Sequence, residues 1–326
     1  MKKKWLKLTL LTFSIGILAV ISIYAYSIIK FSNAISTTAA STAADRSSAA
    51  DSSSSAEENV TIPKWEGKER VNVLILGGDS RGDDAGRSDS VMVLSIDPSS
   101  KKVHLFSVLR DTYVDIPGHG RGRLNAAFAY GGTELTRQTV SKLLGITIHN
   151  YIYTDFNGFI SLVDALGGVD IEVEKDMYYT DSADKHMYDI DLKSGLQHMD
   201  GKTALQYVRF RHDATSDFSR TERQRNFLTQ VANKMQSTST IFKIPGILNA
   251  IAPYIQTDLS PTQMLKLASL GMDLDVKGMD RQQLPPYSLL KNEVVGGAQV
   301  LGVNKKSLQQ YVQQVFEKDA AEEKQQ

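Results

Sequence analysis

The sequence concentrates arginine in one short segment, VRFRHDATSDFSRTERQRNF, which spans residues 208–227. Its five arginines are Arg209, Arg211, Arg220, Arg223 and Arg225, in a chain of 326 residues whose formal net charge is zero. A guanidinium stays charged at physiological pH and binds phosphate oxygens through two parallel hydrogen bonds. The segment therefore predicts an anion site, with a solvated charged surface as the simpler alternative.

Acidic and basic residues also occur in pairs where the first three predicted strands begin or end. The pairs are Asp79 with Arg81, Arg87 with Asp89, and Arg110 with Asp111. Two carboxylates beside one loop can hold a hard divalent cation, because Mg²⁺ typically binds one or two carboxylates together with phosphate oxygens. The arginines would then bind the remaining phosphate charge. Ion pairs that only fix the loop are the more frequent explanation of a single pair, but three pairs at strand ends, together with the five arginines, favour the ligand site.

The same loop also fits a serine nucleophile. Residues 78–82, GDSRG, match the G-x-S-x-G elbow, and a strand followed by Gly-Asp-Ser resembles the start of GDS-type esterases. Ser80 would be the nucleophile and would need a positioned histidine. The following residues, DDAGRSDS, are too polar for the expected helix, and none of the six histidines has an Asp three residues before it. A serine esterase is therefore the less favoured alternative.

The elements that must position these residues are short strands alternating with helices. Strands are predicted at 71–77, 91–97, 103–109, 151–154 and 169–174. Helices are predicted at 133–145, after Asp155, after Asp200, at 221–235 and after Ser260. We expect the second and third strands to pair as a hairpin. The sequence predicts an α/β fold with a central mixed β-sheet flanked by helices in αβα layers.

The amino terminus predicts a membrane anchor. Residues 8–29 contain no charged side chain, and a helix of that length spans about 33 Å, enough for the hydrocarbon core. Four lysines precede this transmembrane helix and only Lys30 follows it closely, so residues 1–7 are expected in the cytoplasm. The prediction is a single-pass type II protein of the cell membrane with an extracytoplasmic catalytic domain. A cleaved signal peptide is the alternative, but the run exceeds the usual core of about 7–15 residues.

The rest of the chain divides by composition. Residues 30–59 are rich in Ser and Ala and predict a disordered stalk, and residues 317–326 predict a solvated tail. Without the five lysines of residues 1–30, where no acid occurs, 32 basic residues face 37 acidic ones. This exported part is therefore mildly acidic, which disfavours nucleic acid as a partner. The chain has no cysteine, which excludes disulfides and thiol nucleophiles.

Six segments, in order, resemble the LytR–CpsA–Psr family: LILGGDSR, GRSDSVMVLSID, SVLRDTYVDIPG, RLNAAFAYGG, FNGFISLVDALGGVDIEV and LQYVRFRHDATSDFSRTERQRNFL. They lie within residues 71–235 and identify residues 60–236 as the catalytic domain. Residues 237–316 match no motif and are expected to form an α/β extension of the same globular unit. The resemblance implies a phosphotransferase that moves a teichoic-acid or capsule-type glycopolymer from an undecaprenyl-diphosphate carrier onto peptidoglycan, through a phosphodiester to a muramic acid hydroxyl.

The resemblance also implies roles for individual residues. It assigns Asp79 and Asp89 to Mg²⁺, or Mn²⁺ in its place. It assigns the diphosphate to Arg110, Arg209, Arg211, Arg220 and Gln224, with Arg81 and Arg87 nearby. Arg123 stands where many relatives have a lysine, so a cation is kept there. The general base for the acceptor hydroxyl stays open among Asp79, Asp89 and Asp111.

The lipid of such a carrier would need an apolar tunnel. Residues 159–168 or residues 140–145 could line it, although apolar residues of this kind more often form plain core. Two other functions would use the same residues: hydrolysis of the lipid diphosphate by water, and non-catalytic binding of polyprenyl phosphate. Transfer is the leading interpretation, and these two functions are the alternatives.

The spacing of the arginines predicts how they converge. Arg209 and Arg211 can point into one pocket only if the chain is extended there, because residues two apart do not share a helix face. Arg220 and Gln224, four apart, should share a face at the start of the next helix and close the pocket from the other side. Arg223 and Arg225 should point elsewhere, as surface or ion-pair residues.

Overall fold

The computed structural model describes residues 22, 26–35, 65–78, 88–180, 186, 188–212 and 217–323. The predictions for Asp79, Ser80, Arg81 and Arg87 fall outside these residues, as do most of the predicted membrane helix and residues 36–59 of the predicted stalk. Across the described part of the chain, no helix combines the length and the apolar composition that a membrane span needs.

Strands and helices alternate through the described residues. The strands are β1 (Val71–Gly78), β2 (Ser88–Ile96), β3 (Val103–Val108), β4 (Tyr113–Ile116), β5 (Gly120–Arg123), β6 (Asn150–Thr154), β7 (Val169–Val173), β8 (Met177–Tyr179), β9 (Ile190–Leu192), β10 (Gly195–Met199), β11 (Ile255–Thr257), β12 (Asp280–Leu284), β13 (Leu290–Val295) and β14 (Ala298–Val303). The helices are α1 (Ala126–Leu144), α2 (Phe156–Leu166), α3 (Gly201–Arg209), α4 (Asp217–Met235), α5 (Thr238–Ile241), α6 (Ile244–Ile251), α7 (Pro261–Asp273) and α8 (Lys305–Glu323).

The described strands form a central six-stranded mixed sheet in the order β11-β6-β1-β2-β3-β12. Strand β2 runs antiparallel to both β1 and β3, so the predicted hairpin is confirmed. Strands β6 and β12 pair in parallel with β1 and β3. Because of these directions, the end of β1, the start of β2 and the end of β3 meet at one edge of the sheet. Of the acidic and basic pairs of the sequence, the described members Asp89, Arg110 and Asp111 lie at this edge.

Helices cover both faces of this sheet, as the αβα prediction requires. On one face, Leu308 of α8 packs into the same buried cluster as Phe106 of β3 and much of α1. On the other face, Leu228 of α4 packs with Leu105 of β3 and residues of α7. A separate apolar cluster joins α2, α3 and α4 and includes the fully buried Phe227. This cluster fixes the two helices that carry the arginine-rich segment.

Local signals in the sequence set the helix ends. The Asp155 side chain accepts a hydrogen bond from the Gly158 amide at 2.8 Å, and Asp200 caps α3 in the same way. Ser260 and Gln263 form the predicted capping box at the start of α7. Helix α1 begins earlier than predicted, at Ala126. It is interrupted at the glycine pair 131–132, where the backbone is not helical.

Two predicted boundaries are wrong. Residues 26–35 are helical, and Phe31 and Ile35 are buried against Ala252 and Ile255, so the first residues of the predicted stalk are ordered. At the other end, α8 continues to residue 323, although a solvated tail was predicted from residue 317. Asp319 is the physical reason. Its carboxylate is buried, 2.7 Å from Nε2 of His104 and 2.8 Å from Arg70, which attaches the last turns of α8 to the sheet.

We therefore predict that Asp319→Ala lowers the free energy of unfolding by about 1–3 kcal/mol, because a buried imidazole and guanidinium lose their hydrogen-bond acceptor. The measurement is urea unfolding followed by circular dichroism. Glu317→Ala is the matched control, since it removes the same charge from an exposed position on the same helix. Equal stability of the two variants would show that the Asp319 contacts contribute nothing.

Candidate active site

The candidate site forms where β1, β2 and β3 meet at the sheet edge. Asp89 is the second residue of β2, and Arg110 follows the end of β3. Arg110 donates a hydrogen bond to Asp89, and its Nε lies 3.4 Å from a carboxylate oxygen of Asp217 and 3.8 Å from one of Asp111. Burial disfavours the charge of Arg110, but these three carboxylates more than offset it and raise its pKa. The group is therefore a firmly charged cation held among acids.

Arg220 lies in the first turns of α4 and is 2% exposed. Its Nη2 is 2.9 Å from Asp217 and donates to the backbone carbonyl of Asp89 at 3.3 Å. Burial, together with the nearby guanidinium of Arg211, lowers the pKa of Arg220 to about 10. The side chain is still charged near neutral pH. It is a desolvated guanidinium beside a partly open space, which favours an anionic ligand.

Arg211 joins the same group. Its Nη2 lies 3.9 Å from the second carboxylate oxygen of Asp89. Burial and the neighbouring Arg110 lower the pKa of Arg211. Three guanidiniums, those of Arg110, Arg211 and Arg220, thus lie around the carboxylates of Asp89 and Asp217.

Arg209 belongs to helix α3, whereas Arg211 follows the end of that helix. Arg209 is the last residue of α3, so the prediction of an extended stretch from residue 209 onward is wrong at this position. The Phe210 amide still donates to the Gln206 carbonyl at 3.2 Å, and the backbone leaves the helix only at Phe210. The Arg209 guanidinium lies over the rings of Tyr188 and Phe156, with centroid distances of 4.5 and 5.1 Å. Arg209 and Arg211 nevertheless line one cavity.

Gln224 follows Arg220 by one helical turn and lines the same cavity, as the four-residue spacing predicts. Its Nε2 donates to the carbonyl of Val208 at 3.3 Å, and its Oε1 accepts from Ser90 at 3.2 Å. These contacts connect α4 to the end of α3 and to β2. Gln224 therefore fixes the distance between the two halves of the arginine-rich segment.

Arg223 and Arg225 do not line this cavity, as predicted, but both are buried. Of the two predicted alternatives, an ion pair or a surface position, the ion pair is confirmed for Arg223, and the surface position is wrong for both residues. Arg223 forms the expected ion pair, 2.8 Å from Glu174, and donates to the Phe210 carbonyl at 2.7 Å. Burial lowers the pKa of Arg225, whose Nη1 has no hydrogen-bond partner among the described residues. These two arginines belong to the packing of α4 rather than to the cavity.

Arg123 and Asp111 form the outer rim. Arg123 Nη1 lies 3.6 Å from Asp111, and its Nη2 donates to the carbonyl of Gln299 at 2.8 Å. Among the described residues, the ion pairs of the Asp111 carboxylate are the longer contacts with Arg123 and Arg110. Its carboxylate is 29% exposed. It is therefore available to a ligand at the rim.

The cavity beside these residues has a volume of about 480 Å³. Its charged lining residues are Asp89, Asp155, Arg209, Arg211 and Arg220, and most of the other lining residues are apolar or aromatic. The apolar wall includes Ile75, Met92, Phe156, Phe159, Ile190, Leu205, Val208, Phe227 and Leu228. Of the two segments predicted as tunnel walls, only 159–168 contributes, through Phe159. Residues 140–145 instead pack in the core on the other face of the sheet.

A metal would meet oxygen donors here. One oxygen of Asp89 accepts a hydrogen bond from Arg110, the other is 3.9 Å from Arg211, and the residue lines the cavity. A carboxylate in this position suits a hard cation that shares phosphate oxygens with arginines. Among the described residues, no group of three or more His or acidic side chains could hold a metal ion. Asp79, the predicted partner of Asp89, lies outside them.

Sequence reasoning missed Asp217, which joins Arg110 to Arg220. One signal was present, because Asp217 precedes Arg220 by three residues and an acidic residue is favourable at a helix amino terminus. The contact with Arg110 had no signal, since the two residues are far apart in sequence.

Comparison with known proteins shows which family and which characterised proteins this chain is similar to. The model of the LytR_cpsA_psr family matches residues 26–317. Regulatory protein MsrR of Staphylococcus aureus is 34% identical over 255 residues, 77% of this chain and 75% of that protein. The polyisoprenyl-teichoic acid–peptidoglycan teichoic acid transferase TagU of Bacillus mycoides is 34% identical over 273 residues, 82% of this chain and 83% of that protein.

A solved structure agrees with these sequence relatives. TagT, a protein of B. subtilis, has been solved bound to LIIa-WTA. That structure matches with a TM-score of 0.64 at 28% identity, over 83% of this chain and 99% of that one. The prediction of a transferase is confirmed at the level of the family. Because the family model spans most of the sequence and relatives above 30% identity cover more than two thirds of it, the chain belongs to the LytR–CpsA–Psr family.

Proposed function

We propose that this protein transfers a teichoic-acid or capsule-type glycopolymer from an undecaprenyl-diphosphate carrier to a muramic acid hydroxyl of peptidoglycan. The observation that carries the proposal is the contact between Arg110, Arg211, Arg220 and Asp89 beside a cavity of about 480 Å³ that is otherwise largely apolar. A cluster of guanidiniums suits a diphosphate, and an adjoining apolar volume suits its lipid. The names of TagU and of the TagT complex support the same chemistry.

The reaction follows from the charges of these residues. The acceptor hydroxyl attacks the phosphorus that carries the polymer, a new O–P bond forms, and the bond from that phosphorus to the bridging oxygen breaks. The lipid phosphate leaves with the bonding electrons, so negative charge grows on the bridging oxygen. Arg110, Arg211 and Arg220 are already held close together and stabilise this charge without rearrangement.

The acceptor hydroxyl must also lose its proton. Asp111 is the described carboxylate best suited to accept it, because Asp89 already accepts a hydrogen bond from Arg110, and Asp217 is held between Arg110 and Arg220. Among the described residues, the ion pairs of the Asp111 carboxylate are as long as 3.6 and 3.8 Å, and its side chain is 29% exposed. Asp111 therefore acts as the general base in this proposal.

Asp89, together with Asp79, would hold Mg²⁺ or Mn²⁺, which would add positive charge beside the diphosphate oxygens. We further propose the type II arrangement expected from the lysines around residues 8–29, with residues 1–7 in the cytoplasm and the catalytic domain outside the membrane. The lipid carrier would then reach the cavity from the membrane to which the chain is anchored.

The arginine assignments predict selective losses of affinity. Arg209→Ala, Arg211→Ala and Arg220→Ala should each weaken binding of a lipid diphosphate by about 1.5–3 kcal/mol, as for hydrogen bonds to charged groups. Calorimetric titration measures this. Arg281→Ala is the control, since Arg281 is exposed and does not line the cavity. Arg223→Ala should lower stability and leave affinity nearly unchanged. Equal losses at all positions would indicate a diffuse basic surface.

The metal assignment predicts opposite effects with and without Mg²⁺. Asp89→Ala should abolish the Mg²⁺ enhancement of lipid-diphosphate binding, because a carboxylate ligand is lost. Without Mg²⁺ the same variant should bind the diphosphate at least as tightly as the wild type, because a negative charge is removed. Asp191→Ala, which removes an exposed acid elsewhere, is the control. Unchanged Mg²⁺ dependence in Asp89→Ala would show that the metal binds elsewhere.

The base assignment predicts a loss confined to the chemical step. Asp111→Asn should reduce kcat about 10²- to 10⁴-fold, the usual contribution of a general base, with little change in lipid-diphosphate affinity. Single-turnover transfer to a peptidoglycan oligomer separates the two quantities. An unaltered kcat would exclude Asp111. Formation of free phosphorylated polymer by the wild type, without transfer, would identify a hydrolase instead.

A further inference from the structure

A second cavity, of about 330 Å³, lies beside the β4–β5 hairpin. Its polar lining combines Asp115 and Arg121 of the hairpin, Lys142 in the last turn of α1, and Asn304 and Lys305 at the start of α8. Among the described residues, it shares no lining residue with the cavity of the candidate active site. The proposed transfer reaction assigns no role to it.

The hairpin connects this second cavity to the active site. Tyr113 lies opposite Arg123, and Asp115 lies opposite Arg121. These four side chains share one face of the hairpin because residues two apart in a strand, and residues directly opposite, point the same way. Arg121 is therefore the next cation after Arg123. Arg123 in turn reaches Arg110 through Asp111, at 3.6 and 3.8 Å.

The second cavity carries a surplus of positive charge. Three cations, Arg121, Lys142 and Lys305, line it together with one acid, Asp115. Lys142 donates to Asp115 and holds the pKa of that carboxyl below its usual range, so the acid cancels one charge and two remain. The amino terminus of α8 adds the positive end of a long helix. This surplus of positive charge favours an anionic ligand over a neutral one.

The order of the features along the protein matches the order of groups in the donor. The apolar cavity is lined by residues of β1, β2 and β6, and the guanidiniums of Arg211 and Arg220 belong to its wall. Contacts then lead from Arg110 through Asp111 to Arg123, and the β4–β5 hairpin leads from Arg123 to Arg121 in the basic cavity. The donor likewise has a lipid, a diphosphate and then a polymer. Arg121 lies over the ring of Tyr113, with 4.4 Å between its guanidinium carbon and the ring centroid, so that face is closed to a sugar. Repeated phosphodiesters fit this surface better than a neutral glycan.

We propose that the surface from Arg123 through Arg121 to Lys305 binds the phosphodiester repeats of the donor polymer while its diphosphate lies at the active site. The inference depends on the proposed function for the identity of the donor. It adds a polymer-binding surface outside the reaction centre, which selects donors that carry a polyanionic chain over donors that carry only a short sugar.

The test compares the double variant R121E/K305E with the wild type in the full-length protein in lipid nanodiscs. We expect the Kd for a soluble glycerol-phosphate oligomer to rise about tenfold, as for the loss of two partly exposed charge contacts. The KM for a donor with a phosphodiester chain should rise similarly, while kcat and KM for a donor with only a short neutral sugar stay unchanged. The control K202E/K277E makes the same charge change at exposed positions outside the cavity.

Four results would overturn the proposal. An unchanged Kd for the oligomer would show that the surface does not bind phosphodiesters. Equal losses with both donors would show that the hairpin only supports the active site, and equal losses in the control would show a general charge effect. Weaker binding of peptidoglycan fragments, with the oligomer unaffected, would assign the surface to the acceptor. If the wild type transfers neither donor, the proposed function fails, and the oligomer titration still decides whether the surface exists.

Discussion

The site depends on holding three guanidiniums close together in a partly buried space. Burial and mutual repulsion lower the pKa values of Arg211 and Arg220. The carboxylates around Arg110 instead raise its pKa. Asp217 is central because it contacts Arg110 and Arg220 at once. Asp89, Asp111 and Asp217 match the charges of these three guanidiniums one for one, and Arg123 and Arg209 add further positive charge beside them, so an anionic ligand is favoured there.

The need to hold these guanidiniums together also gives a role to Arg223, which is buried but does not line the cavity. Arg223 binds Glu174 and the Phe210 carbonyl, and this second contact lies where α3 ends and the chain becomes extended. It therefore fixes the direction in which the backbone leaves the helix. Arg211 follows Phe210 directly, so the position of its guanidinium depends on Arg223. A cluster of like charges needs such support, because repulsion would otherwise spread its members apart.

Sequence patterns correctly predicted the features that depend on residues close together in the sequence. The amino-terminal caps of three helices, Asp155, Asp200 and Ser260, depend on contacts within one helical turn. The β2–β3 hairpin depends on residues only a few positions apart. The patterns failed where the partner is distant in sequence. Asp319 looked solvated because His104 and Arg70 lie far away along the chain.

The arginine-rich segment shows the same division. Periodicity separated Arg220 and Gln224 from Arg223 and Arg225, since it follows from helix geometry alone. The helical periodicity did not predict that Arg223 is buried, because Glu174 and Phe210 contact it only in the folded protein. Likewise, a continued backbone hydrogen bond keeps Arg209 within α3, which charge spacing does not reveal.

The carboxyl-terminal third, for which the sequence offered no motif, supports the site through two backbone contacts and one aromatic side chain. The Leu301 amide donates to the Asp111 carbonyl at 3.0 Å, and the Gln299 carbonyl accepts from Arg123 at 2.8 Å. Tyr287 stacks on Phe218 at the start of α4, with 4.2 Å between ring centroids. Backbone contacts constrain position without requiring particular side chains, so they leave no motif to recognise. The rim carboxylate, the rim cation and the helix that carries Arg220 are thus all held by a segment that supplies no side chain to the anion cluster.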